Sequence, residues 1–209
     1  GEDRTRQAMA EIAVSTRKWA NLNPMAYFYN TPATFDDYHN SRWVAWPFHL
    51  LDCCLVTDAG AAIVITTPER AQDAKNGSVK ILGAAEGHDH SMISQMPDLT
   101  SAFGRNTGPQ ALNMAGVSHS NLDLAMIYDS FTYTVLVTLE NLGFCGPGEG
   151  PDFVRSQRTA PGGEFPLNTN GGGLSYTHPG MYGIFTVVEA ARQLRGQAGD
   201  RQLDKCNLA

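Results

Sequence analysis

A histidine framed by glycines is the residue of this sequence whose setting best suits catalysis. The segment from Asn168 to Gly183 reads NTNGGGLSYTHPGMYG and places His178 directly before Pro179. Successive glycines let the backbone approach a ligand closely, and Pro179 restricts the conformation of His178. A histidine held in this way before a helix can act as a general base or as an oxyanion donor. The alternative is a surface loop with a solvated histidine, and composition alone does not decide between the two.

A second segment ends an apolar run in three polar residues. Residues 124–131 read LAMIYDSF, so Tyr128, Asp129 and Ser130 directly follow LAMI. In α/β sheets, sites gather at the carboxyl ends of strands, where such side chains meet a ligand. The structural alternative is that Asp129 or Ser130 caps the helix that follows. On these residues alone, capping is the favoured interpretation.

Two other clusters carry weaker signals. Cys53 and Cys54 are adjacent beside an apolar run, where cysteine commonly serves as a small buried hydrophobe. His88 and His90 have a spacing that can hold a metal, but the neighbouring sequence offers no convincing third ligand. We therefore predict a surface loop around these histidines and no metal site.

Strands and helices alternate along the part of the chain that must position these segments. Apolar runs predict buried strands over residues 61–66, 79–82 and 124–128. Apolar residues at helical spacing, closed by glycines, predict helices over residues 107–115, 131–142 and 181–195. Such alternation favours an α/β layered fold.

The first half of the chain is less regular. An amphipathic helix is predicted from the start of the chain to just before Asn23-Pro24, because apolar residues recur every three or four positions. Residues 24–50 are irregular and rich in aromatic side chains, which need a large surface to pack against. Pro68 marks the first turn of a helix, and Asn76-Gly77 marks a turn.

Charge and composition argue against several classes of function. The 209 residues carry a formal net charge of −6, whereas nucleic-acid-binding proteins usually present a basic face. No apolar run approaches the roughly 20 residues of a membrane span, and the polar start GEDRTRQAMAEIAV is unlike a signal peptide. Four cysteines, two of them adjacent, do not suggest a disulfide framework. We therefore predict a cytoplasmic protein without a nucleic-acid partner.

Three stretches together resemble the thiolase superfamily, in particular sterol-carrier-protein-2-type and bacterial lipid-transfer-protein thiolases. They are LDCCLVTDAGAAIVITTPERA, IYDSFTYTVLVTLENLGFCGPGEG and NTNGGGLSYTHPGMYG. The resemblance covers essentially the whole chain and implies a layered α/β/α sandwich that is incomplete here. It also implies that residues 1–75 end an N-terminal thiolase-like half. Residues 76–209 would then form a C-terminal domain truncated before its last strands.

The resemblance assigns roles to a few residues. His178 matches the histidine of the family's Gly-His-Pro motif, which activates a nucleophilic cysteine and helps bind the thioester oxygen. Tyr128 stands where the family has Asn or His, which is a departure, because a phenol is neither an amide nor an imidazole. Tyr176 lies in the same block as His178. The family's nucleophilic cysteine and its Cys-x-Gly motif have no counterpart in this chain.

Three functions follow from the resemblance. The first is a thiolase-type acyltransferase that cleaves or forms C–C bonds in acyl-CoA substrates, with coenzyme A as substrate or product and no bound cofactor. The second is a retro-aldolase that acts on β-hydroxyacyl-CoA steroid side chains together with a DUF35-type OB-fold partner, with proton transfers by Tyr128 and Tyr176. The third is a non-catalytic lipid or acyl-CoA binding protein. A homodimer is expected in the family.

Overall fold

The computed structural model describes residues 1–209 as seven helices and one two-stranded hairpin, joined by long irregular segments. The helices are α1 (Glu2–Ala20), α2 (Phe35–Asn40), α3 (Pro68–Ala71), α4 (Gly104–Ala115), α5 (Thr132–Leu142), α6 (Gly150–Phe153) and α7 (Gly183–Leu194). Strands β1 (Trp43–Ala45) and β2 (Phe48–His49) pair in antiparallel orientation. Short 3-10 turns lie at Leu50–Asp52, Ile93–Gln95, His119–Asn121, Arg155–Gln157 and Gly199–Arg201, and a single π-helical turn lies at Gly172–Tyr176. No helix has both the length and the apolar character needed to cross a membrane.

Helix α1 lies at the centre of the packing. It ends before Asn23-Pro24, as predicted, but it is not a surface helix with one apolar face. From Ala8 onwards every residue except Lys18 is buried, so its charged residues need internal partners. Arg17 donates to Ser175 Oγ (3.0 Å), and its guanidinium lies over the ring of Phe28 at 3.7 Å. The helix is therefore fixed against the segment that carries the predicted catalytic histidine.

The core is a single cluster that joins α1, α5 and the extended segment around residue 125. Alternation along this segment sets the direction of its side chains, since successive residues of an extended chain point to opposite sides. Ala125, Ile127 and Asp129 are buried, whereas Met126 and Tyr128 are half-buried. The same packing that buries Ile127 therefore turns Asp129 inward and Tyr128 outward.

The three helices predicted in the second half of the chain are confirmed. Helices α4 and α5 end at Gly116 (φ 69°) and Gly143 (φ 86°), which both adopt the left-handed conformation that favours glycine. Helix α3 begins at Pro68, as predicted. The capping interpretation of the second segment is wrong, because α5 begins after Phe131 and has no side-chain cap.

The predicted strands are not formed. Residues 61–66 and 79–82 have no strand partner, and the 124–128 segment forms one isolated bridge, between Ala125 and Leu167. Val64 and Ile65 are 92% and 71% exposed, so the predicted burial of this run is also wrong. The physical reason is that a strand needs a hydrogen-bonded neighbour, and this chain places none beside these residues.

The aromatic stretch from 24 to 50 divides into buried and exposed parts. Tyr38 is fully buried, and its hydroxyl donates to Asp52 Oδ1 at 2.8 Å. His49 is buried and stacks on Trp43, with ring centroids 3.7 Å apart. Trp46, in contrast, is 70% exposed. This chain therefore provides a packing surface for only part of the stretch.

The final residues of the chain form no strand. Instead they are held to Asp123. Lys205 Nζ lies 2.7 Å from Asp123 Oδ1, and the backbone N–H of Asn207 donates to Asp123 Oδ2 at 2.7 Å.

A buried ion pair connects α7 with the turn that follows it. Arg201 donates to both carboxylate oxygens of Glu189 at 2.8 and 2.9 Å, and both side chains are almost completely buried. Thr169 Oγ1 also donates to Glu189, at 2.9 Å. This network fixes α7 behind the glycine-rich segment.

We expect the Arg201→Met variant to lose about 3–5 kcal/mol of unfolding free energy, because it leaves the buried Glu189 charge without its partner. Thermal and denaturant unfolding of the full-length protein measure the loss. The control is Lys205→Met, whose ion pair with Asp123 has an exposed lysine and should contribute less than about 1 kcal/mol. Equal losses in the two variants would contradict the larger stabilising role of the buried ion pair.

Candidate active site

The fold brings the two predicted motif segments into contact. The rings of Tyr128 and His178 meet edge to face, with centroids 5.5 Å apart and an interplanar angle of 81°. The Tyr128 hydroxyl donates to the carbonyl oxygen of Gly180 (3.2 Å) and accepts the backbone N–H of Tyr182 (3.3 Å). Two of the three predicted site residues, Tyr128 and His178, are therefore neighbours.

Tyr176 lies at the end of the π-helical turn but away from this pair. Its ring packs edge to face against Phe185 of α7, with centroids 6.0 Å apart. Its carbonyl oxygen accepts the backbone N–H of Tyr27 at 3.0 Å. The structure therefore places Tyr176 two residues before His178, at the end of the turn, without bringing its ring against Tyr128.

A residue that the sequence did not single out completes the aromatic cluster. Tyr182 is fully buried, stacks on His178 (centroids 6.1 Å apart, interplanar angle 14°) and meets Tyr128 edge to face at 5.7 Å. Its hydroxyl donates to Asn170 Oδ1 at 2.8 Å. Tyr182 belongs to the quoted glycine-rich block, but no pattern in that block distinguishes it from the other tyrosines.

The segment that follows Cys53 and Cys54 holds the backbone of His178. Its backbone N–H donates to Thr57 Oγ1 at 2.9 Å, and its carbonyl oxygen accepts the N–H of Thr57 at 3.4 Å. The hydroxyls of Thr57 and Thr177 are 2.8 Å apart. These contacts fix the histidine backbone while leaving the imidazole directed toward Tyr128.

The imidazole of His178 is available for chemistry. Its Nε2 atom is buried and has no hydrogen-bond partner in the chain. Burial lowers the pKa of His178 below its usual value of 6.5, so the ring is neutral at neutral pH. A neutral ring with an unpartnered nitrogen can accept a proton or donate a hydrogen bond to a substrate oxygen.

Asp129 lies directly under the glycine-rich turn. Its carboxylate is fully buried and accepts the backbone N–H groups of Gly173 (2.6 Å) and Leu174 (3.3 Å). Burial raises its pKa to about 7, although these two hydrogen bonds act in the opposite direction. Asp129 therefore supports the turn instead of capping α5.

The turn leaves no room for a side chain beside this carboxylate. Gly172 has φ +60°, and a Cβ atom there would lie 2.0 Å from Asp129 Oδ2. We expect the Gly172→Ala variant to lose at least about 3 kcal/mol of unfolding free energy, because it combines a positive φ with a clash in a packed interior.

The matched control is Gly148→Ala. Gly148 has φ +78°, but its Cβ would meet nothing within 4 Å, so its cost should be about 1 kcal/mol. Thermal unfolding of the two variants separates the clash from the backbone penalty. If both variants lost the same unfolding free energy, the clash with Asp129 would contribute nothing to the loss in Gly172→Ala.

None of the four cysteines is activated as a nucleophile. Burial raises the pKa of every one of them, to about 11 for Cys145 and Cys206. A nucleophilic cysteine requires a lowered pKa. Cys53 and Cys54 are half-buried and free.

Other concave or polar features lie away from this cluster. An open cleft of about 550 Å³ between Trp19, Leu122 and Lys205 does not include Tyr128 or His178. His90 Nδ1 lies 2.5 Å from Asp89 Oδ1 in an irregular segment. No three His, Cys, Asp or Glu side chains form a group that could hold a metal ion.

Comparison with known proteins identifies close similarities. The chain is 42% identical over 197 residues to the 17-hydroxy-3-oxo-4-pregnene-20-carboxyl-CoA lyase of Mycobacterium tuberculosis, covering 92% of this chain and 50% of that protein. It is 38% identical over 209 residues to a steroid side-chain-cleaving aldolase of Thermomonospora curvata, covering 98% and 53%. Identity with the acetyl-CoA acetyltransferase of Methanothermobacter thermautotrophicus is 31% over 206 residues, covering 98% and 54%.

A solved structure and a family model agree with these similarities. The Ltp2-ChsH2(DUF35) aldolase structure has a TM-score of 0.89 and 36% sequence identity, covering 96% of this chain and 53% of that one. The chain spans about half the length of the curated relatives it matches. Residues 85–209 match the family model described as "Thiolase C-terminal domain-like". Because that model covers more than half of the chain, the chain belongs to the thiolase superfamily, as its motifs predicted, and has a thiolase-like α/β fold.

Proposed function

We propose that the full-length protein is a retro-aldolase that cleaves β-hydroxyacyl-CoA steroid side chains. The observation that carries the proposal is the contact of Tyr128 with His178, at a position where thiolases have Asn or His. The two relatives at 42% and 38% identity, a lyase and an aldolase, also support it.

The reaction requires proton transfer but no redox step. A base removes the proton of the β-hydroxyl group, the bond between the α- and β-carbons breaks, and a ketone forms at the β-carbon. The electron pair of that bond passes to the α-carbon and thioester carbonyl as an enolate, which then takes up a proton at the α-carbon. The enzyme must therefore move one proton in each direction and stabilise negative charge on the thioester oxygen.

The site has groups suited to both tasks. The Tyr128 hydroxyl accepts the backbone N–H of Tyr182 and donates to the carbonyl oxygen of Gly180, so it is placed to act as a donor or an acceptor in proton transfer. The unpartnered Nε2 of His178 is suited to a hydrogen bond with the thioester oxygen. Tyr176, at the end of the turn that precedes His178, is assigned the second proton transfer.

A thiolase-type acyltransferase is the second candidate. The similarity to an acetyl-CoA acetyltransferase supports it, and His178-Pro179-Gly180 is intact. In this case His178 would activate a cysteine supplied by another part of the full-length protein, because all four cysteines here have a raised pKa. The third candidate is a non-catalytic role in binding lipid or acyl-CoA.

The wider assembly is also part of the proposal. Residues 1–75 would complete an N-terminal half and residues 76–209 a C-terminal domain of a layered α/β/α sandwich, in a cytoplasmic homodimer. The similarity to the Ltp2-ChsH2(DUF35) aldolase supports a DUF35-type partner. Coenzyme A would enter as part of the substrate, without a separate bound cofactor.

One pair of assays separates the three functions. The full-length protein, with and without a DUF35-type partner, is offered a β-hydroxyacyl-CoA steroid, and separately a 3-ketoacyl-CoA with free CoA. We expect ketone and a short acyl-CoA from the first substrate without consumption of CoA. Thiolysis of the second substrate alone would support the acyltransferase, and tight binding without turnover of either would support the binding role.

A further inference from the structure

Asp129 is a buried titratable group that the proposed chemistry does not use. Its carboxylate is completely excluded from solvent, although ionised carboxylates are rarely buried without a cationic partner. Here the partners are backbone amides: Gly173 donates to Oδ1 at 2.6 Å and Leu174 to Oδ2 at 3.3 Å. Both carboxylate oxygens thus accept hydrogen bonds from one turn.

The turn is shaped around this carboxylate. Gly171 and Gly172 have φ angles of 100° and 60°, and the Gly172 Cα lies so close to Asp129 that no Cβ fits. A Cβ at Gly173 would lie 2.8 Å from His178 Cδ2 and 3.2 Å from Asp129 Oδ1. The carboxylate and the imidazole therefore approach the same glycine.

We infer that Asp129 is a positioning residue: its ionised carboxylate holds the Gly172–Tyr176 turn and thereby sets in place both Tyr176 and His178, the residue that faces Tyr128. This role deepens the proposed function and rests on it. Asp129 is joined to Tyr128 by one peptide bond and to the turn by two hydrogen bonds. Its side chain thus binds both halves of the candidate site together.

Few titratable groups face the carboxylate. The Cys54 thiol approaches the Asp129 carboxylate from the segment of the two adjacent cysteines. The fully buried Tyr182 phenol faces the carboxylate from the start of α7. His178 shares the space beside Gly173, and Arg17 reaches the far side of the turn through Ser175 Oγ. No cation touches Asp129 directly, which agrees with a pKa raised to about 7 by burial. Protonation near neutral pH would remove the charge that holds the amides.

The test compares Asp129→Asn with Asp52→Asn in the full-length protein and its partner. Asp52 is an equally buried aspartate that accepts hydrogen bonds from Tyr38 and Thr132, so it controls for loss of a buried carboxylate. We expect Asp129→Asn to lower kcat about 100-fold through misplaced catalytic groups, with KM little changed. Wild-type kcat should decline below about pH 7, and this decline should disappear in Asp129→Asn but persist in Asp52→Asn.

Hydrogen exchange of the 168–178 backbone provides a readout that does not depend on activity. After correction for intrinsic rates, wild-type protection should be higher at pH 8 than at pH 6, and Asp129→Asn should exchange rapidly at both. A folded Asp129→Asn protein with wild-type kcat, pH profile and protection would overturn the positioning role. Wild-type protein without aldolase activity but with this pH-dependent protection would overturn only the proposed function.

Discussion

We expect the Tyr128→Phe variant of the full-length protein to lose about 10²- to 10⁴-fold in kcat for retro-aldol cleavage, the range that a positioned proton-transfer group contributes. Phenylalanine keeps the ring that packs edge to face on His178 but removes the hydroxyl that would move the proton. Steady-state kinetics with a β-hydroxyacyl-CoA substrate measure the loss. In a thiolase-type reaction His178 and a cysteine would move the protons instead, so a large loss supports the aldolase.

The control for this variant is Tyr133→Phe. Tyr133 is also a partly buried tyrosine with one hydrogen bond to a carbonyl oxygen, that of Leu99 at 3.0 Å, but it lies outside the site. Both variants should lose less than about 2 kcal/mol of stability, because each removes at most two hydrogen bonds. If Tyr128→Phe retained half of the wild-type kcat, Tyr128 would not be the proton-transfer group.

Helix boundaries could be predicted from the sequence because their causes are local. Gly116 and Gly143 close helices by adopting positive φ, and Pro68 opens one; each effect depends on a few neighbouring residues. Strand formation depends instead on a distant partner. The run at 61–66 has the composition of a buried strand, yet no local feature shows whether a neighbouring strand will lie beside it.

The same distinction applies to the site. Tyr128 and His178 are far apart in the sequence, and only the family resemblance predicted that they would be brought together. Asp129 has the local signature of a helix cap, but the backbone amides of Gly173 and Leu174 compete for its carboxylate. Burial under the turn decides that competition, and a capping pattern cannot reveal it. Thr57, which fixes the His178 backbone, stands in a stretch that resembles the superfamily, but no motif in it distinguishes this residue.

The second large effect is expected at His178. We expect His178→Ala to lower kcat about 10²- to 10³-fold, the usual consequence of removing an oxyanion donor, and His178→Gln to lower it less. Glutamine can donate a hydrogen bond but cannot take up a proton, so it retains part of the binding function and none of the base function. A larger loss in His178→Ala than in His178→Gln would indicate a donor role, whereas equal losses would indicate a base.

The pH dependence distinguishes this residue from its neighbours. Burial lowers the pKa of His178 below 6.5, so wild-type kcat should decline again in acid as the imidazole becomes charged, below the decline expected from Asp129. Because folding lowers this pKa, the contribution of the neutral ring to stability is complete above pH 6.5 and falls as the pH decreases. The control is His39→Gln, at an exposed histidine of α2. This variant should keep both declines of kcat at low pH, the one from Asp129 and the one from His178. A His178→Gln enzyme with wild-type kcat at every pH would exclude His178 from the reaction and leave Tyr128 without its partner.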